Sequence, residues 1–136
     1  MPMLSGIKVI ELTNMITGPL CGMMLADLGA EVIKVENPKG GDLFRSWRGG
    51  TYSAQFGAYN RNKRSITLNI RSEAGADILR KLIDDADILL QNFRPGVMDR
   101  LGFARDDLMA RNPKLIHCSI SGFGEDGPYR DRPAYD

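Results

Sequence analysis

The sequence predicts an α/β, Rossmann-like fold, a mainly parallel sheet with helices on both faces. Three observations predict it. Short β-rich runs alternate with stretches of helical periodicity along the chain. Glycine, proline and capping residues mark the joints between them. No internal repeat or low-complexity stretch interrupts the alternation. Strand, helix, strand in repetition implies right-handed crossovers and hence parallel strands. In such sheets ligands bind beyond the carboxyl ends of the strands, so the informative residues are expected just after each strand.

The elements follow in order. Residues 7–12 (IKVIEL) read as a first strand. Gly18-Pro19 opens a helix over about 20–28, since proline suits a first turn whose N–H groups have no helical partner. Gly29 ends it, because glycine tolerates the left-handed conformation past a helix end. Residues 31–36 (EVIKVE) form a second strand, and 37–62 a long glycine-rich loop. Residues 65–70 (SITLNI) form a third strand. Ser72 caps the next helix, whose apolar positions Ala76, Leu79, Leu82 and Ile83 fall at helical spacing. A fourth strand spans 87–92, short helices 95–101 and 104–110, a fifth strand 114–119, and 122–136 is a loop.

Bulk properties narrow the function classes. The 136 residues are 43% hydrophobic and 26% charged, enough for one modest core. A net charge of +1 gives no general attraction to nucleic acid or anionic membrane, and neither is expected as a partner. No apolar run is long enough to span a bilayer, and residues 1–6 lack the build of a secretory signal. Cys21 and Cys118 are expected as buried thiols of a reducing cytoplasm. A mitochondrial or peroxisomal site remains open for a eukaryotic source. The single histidine, His117, argues against a zinc site.

The strand ends carry several candidate features. After the first strand, Thr13-Asn14-Met15-Ile16-Thr17-Gly18-Pro19 can present free amides to a phosphate, but a tight strand-to-helix turn is the simpler reading. Glu36, at the end of the second strand, can meet a ribose hydroxyl as in dinucleotide folds. The missing G-x-G-x-x-G pattern argues against a nicotinamide or flavin site. Asn60-Arg61-Asn62-Lys63-Arg64 is either a solvated charge run or a phosphate clamp. Arg71 and Arg100 follow the third and fourth strands, where they can converge on one polyanion. Phe93, in Asn92-Phe93-Arg94-Pro95-Gly96, is either a core plug or a wall for a purine or pantetheine arm. Ser119 and Ser121 lie near His117, but no carboxylate is placed to complete a triad and G-x-S-x-G is absent.

An ordered set of segments carries a resemblance. These are 4–12 (LSGIKVIEL), Gly18-Pro19, 28–36 (LGAEVIKVE), Gly41-Asp42, 60–66 (NRNKRSI), 92–96 (NFRPG), 121–124 (SGFG), Gly127-Pro128-Tyr129 and 132–136 (RPAYD). In order and spacing they resemble the start of the class III CoA-transferases, also called the CaiB/BaiF family, of which formyl-CoA transferase is a member. The resemblance runs the whole length of the chain.

The resemblance implies a CoA-transferase with no covalently bound cofactor, using coenzyme A and acyl-CoA as substrates together with a carboxylic acid. An aspartate attacks the donor thioester, and an anhydride and then an enzyme thioester follow. It implies ring-shaped subunits interlocked as a homodimer. By position, the family's CoA contacts fall on Asn14, Met15, Ile16, Thr17, Asn37, Leu68, Arg71, Asn92, Phe93, Val97, Arg100 and Tyr135. The nucleophilic aspartate is expected beyond Asp136. Residues 1–136 are thus expected to be the amino-terminal CoA-binding part of an incomplete large domain, inactive alone, with no catalytic residue of their own. Formyl-CoA transferases carry glutamine where Ile16 stands, which argues against formate and oxalate. Related α-methylacyl-CoA racemases carry a catalytic histidine where Tyr135 stands, which argues for transfer over racemisation. A racemase-like enzyme and a non-catalytic CoA-binding module are the alternatives, with a nicotinamide-binding domain behind both.

Overall fold

The computed structural model of the chain describes residues 1–134. Five strands, β1 (Lys8–Leu12), β2 (Glu31–Glu36), β3 (Arg64–Thr67), β4 (Ile88–Gln91) and β5 (Ile116–Ser119), form one sheet in the order β3-β2-β1-β4-β5. Every pairing is parallel. The chain builds outward from β1 to β2 and β3, then returns to the other side of β1 for β4 and β5. The switch point therefore falls between the carboxyl ends of β1 and β4.

Strand alternation sends the side chains of one strand into two cores. Ile10, Leu12, Val35 and Leu89 face α3 (Glu73–Asp84), α4 (Val97–Arg100) and α5 (Arg105–Arg111), meeting Leu79, Ile83, Met98 and Leu108. Val9, Val32 and Leu90 face α1 (Thr17–Asp27), meeting Ala26 and the half-buried Cys21 and Leu25. Helices thus cover both faces, as expected. Both cysteines are free and only half-buried, short of the full burial expected of them. Among the described residues no helix is long and apolar enough to cross a membrane.

Ser72 caps α3 as expected, accepting a bond from the Gly75 N–H at 3.2 Å. Gly29 follows α1 with φ 102°, also as expected. Other strand and helix ends shift by one or two residues, and four differences have a clear physical reason. Helix α1 begins at Thr17, so Pro19 sits third in its first turn, where a missing N–H still costs no bond. The strand expected over 65–70 ends at Thr67, because the Leu68 N–H makes the last bond to β2 (Glu36 O, 2.9 Å) and Asn69 O then accepts from Ser72. The helix expected over 95–101 shortens to Val97–Arg100, since Gly96 is left-handed at φ 75°. The loop expected over 37–62 holds a helix, α2 (Ala54–Asn60), capped by Ser53, whose Oγ accepts from the Phe56 N–H at 3.1 Å. Phe56 is buried, with the Tyr52 ring at 5.3 Å and the Arg45 guanidinium 4.0 Å above its own ring.

Candidate functional site

A cleft of about 1250 Å³ opens over the carboxyl ends of the strands. All five contribute to its lining. Leu12 ends β1 and residues 13–17 follow it, Asn37 follows β2, and Leu68 to Arg71 follow β3. Asn92 to Pro95 follow β4, and Ile120 to Phe123 follow β5. This is where a doubly wound sheet leaves room for a ligand, because the connections on either side of the switch point leave in opposite directions.

The two sides of the switch point are tied together. The Asn14 N–H donates to Asn92 Oδ1 (2.9 Å), and Asn92 Nδ2 donates back to Asn14 O (2.9 Å). Met15 is left-handed at φ 68°, a conformation that costs a non-glycine residue about 1 kcal/mol. Its N–H donates to Asp42 Oδ1 (3.2 Å), which also accepts from the Phe44 N–H (2.9 Å). Gly18 permits the close turn into α1, since a Cβ there would lie 2.5 Å from Thr13 Cβ.

Beneath this loop four charged side chains are buried, each at most 2% exposed. Lys34 Nζ donates to Glu11 Oε1 and to Thr13 O, both at 2.9 Å, and lies 2.9 Å from Asp42 Oδ2. Lys63 Nζ lies 2.8 Å from Glu11 Oε2 and donates to Pro19 O at 2.8 Å. The contacts to Glu11 Oε2 and Asp42 Oδ2 have the distance of ion pairs without hydrogen-bond alignment, and neither oxygen has another partner among the described residues. Two carboxylates and two ammonium groups cancel, which is the condition for keeping four charges out of water. Burial lowers the Lys63 pKa below its ordinary value, against the raising pull of Glu11.

The acids of the cleft are already committed. Glu36 is 4% exposed and grips Arg45 in a two-pronged pair, Nε to Oε2 and Nη2 to Oε1, both at 2.6 Å. It also accepts from Ser65 Oγ (2.5 Å) and the Asp42 N–H (3.0 Å). Burial alone would raise its pKa; the Arg45 and Ser65 side chains and the Asp42 amide outweigh burial and hold it at about 2. With both oxygens occupied, Glu36 has no position for a ribose hydroxyl, which removes the support the sequence offered for a nicotinamide site. The other acid of the lining, Asp42, is held by Lys34 and two amides.

The cations of the cleft are not committed. Lys39, Arg71, Arg94, Arg130 and Arg132 line it, and none pairs with a carboxylate among the described residues. Arg132 lies over the Tyr129 ring at 4.2 Å.

Asn14, Met15, Ile16, Thr17, Asn37, Leu68, Arg71, Asn92, Phe93 and Val97 are brought together on the cleft lining. Arg100 is not on the lining. It stands behind Gly96, where an added Cβ would meet Arg100 Nη1 at 3.2 Å. Tyr135 lies outside the described residues. Phe93, half-buried, packs against the core on one side and lines the cleft on the other. The phosphate-clamp reading of residues 60–64 fails. Arg61 pairs with Asp27, Arg64 with Glu31 and Lys63 with Glu11, and none lines the cleft. Ser119 takes a bond from Gln91 Nε2 (2.7 Å) and donates to Glu125, and has no bond to His117 among the described residues. Sequence patterns missed the Glu11–Lys34–Asp42–Lys63 cluster and the Glu36–Arg45 pair. Charged residues in β-strands are usually solvated, and only burial on both faces of a parallel sheet makes Glu11 and Lys34 conspicuous.

Strand order and switch-point cleft define a doubly wound α/β protein whose cleft carries cations with no carboxylate partner among the described residues. A model of CoA-transferase family III matches residues 4–136. The chain belongs to that family. It is 46% identical to succinate–glutarate CoA-transferase of Agrobacterium fabrum, over 99% of this chain and 36% of the relative. It is 41% identical to human succinyl-CoA:glutarate CoA-transferase, over 98% of this chain and 31% of the relative. A crystal structure of a CAIB/BAIF family protein from Brucella suis superposes with a TM-score of 0.93 at 46% identity, over 98% of this chain and 37% of that one. The chain spans about a third of the length of the curated relatives it matches.

Proposed function

We propose that the chain supplies the CoA-binding elements of an enzyme that moves CoA from an acyl-CoA thioester to a carboxylic acid. The observation that carries this reading is the cleft itself: five cations without carboxylate partners among the described residues, around two acids that are already neutralised. CoA offers the matching chemistry, a diphosphate and a ribose phosphate on a purine, joined to an apolar arm. Asn14, Met15, Ile16, Thr17, Asn37, Leu68, Arg71, Asn92, Phe93 and Val97 are its contacts on the lining, and the family resemblance adds Tyr135 and Arg100, the latter standing off the lining behind Gly96. Relatives named for glutarate and L-malate favour a short dicarboxylic acid as acceptor.

In the proposed reaction an aspartate carboxylate outside these residues attacks the thioester carbonyl. The C–S bond breaks and CoA leaves as thiolate. The thiolate attacks the aspartyl carbonyl of the anhydride, giving an enzyme thioester and releasing the donor acid. The acceptor carboxylate displaces the thiolate in turn, and the thiolate takes the acceptor's acyl group, restoring the aspartate. The protein needs no covalent cofactor. Its full-length form works as an interlocked homodimer in the cytoplasm, and residues 1–136 do not turn over alone.

Calorimetric titration with CoA tests the binding claim. Arg71→Gln is expected to weaken CoA about tenfold and to flatten the salt dependence of binding, since a phosphate contact with Arg is charge-assisted. A chain that ignores CoA, or prefers NAD, refutes the reading. Robust turnover of succinyl-CoA and glutarate by the 136-residue polypeptide refutes its inactivity alone.

A further inference from the structure

The corner of the cleft beyond β2 is where dinucleotide folds read the ribose. An acid at the end of that strand accepts from a ribose hydroxyl, and where the ribose carries a phosphate a cation takes over. Here the acid stands in the expected place, but four donors from the chain itself fill both oxygens of Glu36. Three residues on, Lys39 lines the same cleft, exposed and without a carboxylate partner among the described residues. Its position is set by a local turn, in which the Lys39 N–H donates to Asn37 Oδ1 at 2.9 Å and the Gly41 N–H to Asn37 O at 2.9 Å. That turn fixes the backbone of Lys39 at the rim of the cleft. The corner's two carboxylates, Glu36 and Asp42, are paired with Arg45 and Lys34, and Lys39 adds a positive charge with no carboxylate partner among the described residues.

We infer that Lys39 is a specificity-determining residue that recognises the phosphate on the ribose of the bound nucleotide. It distinguishes CoA from the same molecule lacking its 3′-phosphate. This rests on the CoA-binding reading above and adds to it a residue that the motif positions do not include. The Glu36–Arg45 pair serves the same end by keeping the neighbouring carboxylate from opposing a phosphate dianion.

The test is calorimetry on the 136-residue chain with CoA and with 3′-dephospho-CoA. The wild type is expected to bind CoA about fivefold more tightly, the scale of one partly solvated charge-assisted contact. Raising salt from 50 to 500 mM should shrink that ratio, as roughly follows from a screening length that falls toward 3 Å at 1 M. Lys39→Met should bring the ratio close to one by weakening CoA while leaving 3′-dephospho-CoA unchanged. Lys39→Arg should preserve it. A wild type that binds both ligands equally, or a Lys39→Met variant that keeps the preference, overturns the inference and leaves CoA binding standing. A wild type that binds neither ligand overturns the CoA-binding reading and this inference with it.

Discussion

Replacing Gly22 with alanine separates two opposed effects. On a solvated helix the change stabilises by about 1 kcal/mol, because alanine loses less backbone freedom than glycine. Gly22, however, faces β1. A Cβ there would lie 1.9 Å from Glu11 Oε2 and 2.9 Å from Glu11 Cδ. Carbon and oxygen need roughly 3.4 Å, so the carboxylate must retreat by about 1.5 Å. It has nowhere to go, with Lys34 and the Thr13 hydroxyl holding Oε1 at 2.9 and 2.6 Å and Lys63 standing 2.8 Å from Oε2. Breaking one arm of a buried ion pair costs about 3–5 kcal/mol, so the net loss after the helix gain is about 2–4 kcal/mol. Urea unfolding followed by circular dichroism should show a lower midpoint at unchanged slope. A Gly22→Ala protein as stable as the wild type, or more so, would mean that Glu11 is not pinned as described.

Two further outcomes are expected. Glu36 has a folded pKa of about 2 against an ordinary 4.5, so the unfolded chain binds the extra proton between those values. Its contribution to stability is present above pH 4.5 and is lost as pH falls toward 2. Glu36→Gln should flatten that stretch of the stability profile, and an acid limb identical to the wild type's would contradict the assignment. Asn92→Ala removes both partners of Asn14, leaving a half-buried N–H and C=O without bonds at a cost of about 1–3 kcal/mol. CoA affinity should fall about tenfold as the Thr13–Thr17 loop loosens, and unchanged affinity would show that the brace does not shape the site.

Parallel strands that alternate with helices were legible because strand period, the Ser72 cap and Gly29 all agreed locally. The cleft was legible by rule, since a doubly wound sheet binds at its strand tips. Helix α2 was not, because glycines and aromatics around it mask a short helix held by tertiary contacts such as Arg45 over Phe56. The role of Lys63 was not legible either. Five polar residues in a row look like solvent-facing loop, and only the return of the chain beneath α1 places that ammonium 2.8 Å from Glu11. Glu36 invited a ribose reading that Arg45, nine residues away in a loop, forecloses.

The reciprocal amide brace between Asn14 and Asn92 joins residues 78 apart in sequence. Neither half of the chain can present the binding surface by itself, so the surface comes into being only when β1 and β4 have zipped side by side. A molecule that seats across the seam therefore acts as a rivet on the assembled sheet. Its occupancy adds directly to resistance against unfolding, and melting temperature should climb with its concentration as mass action requires.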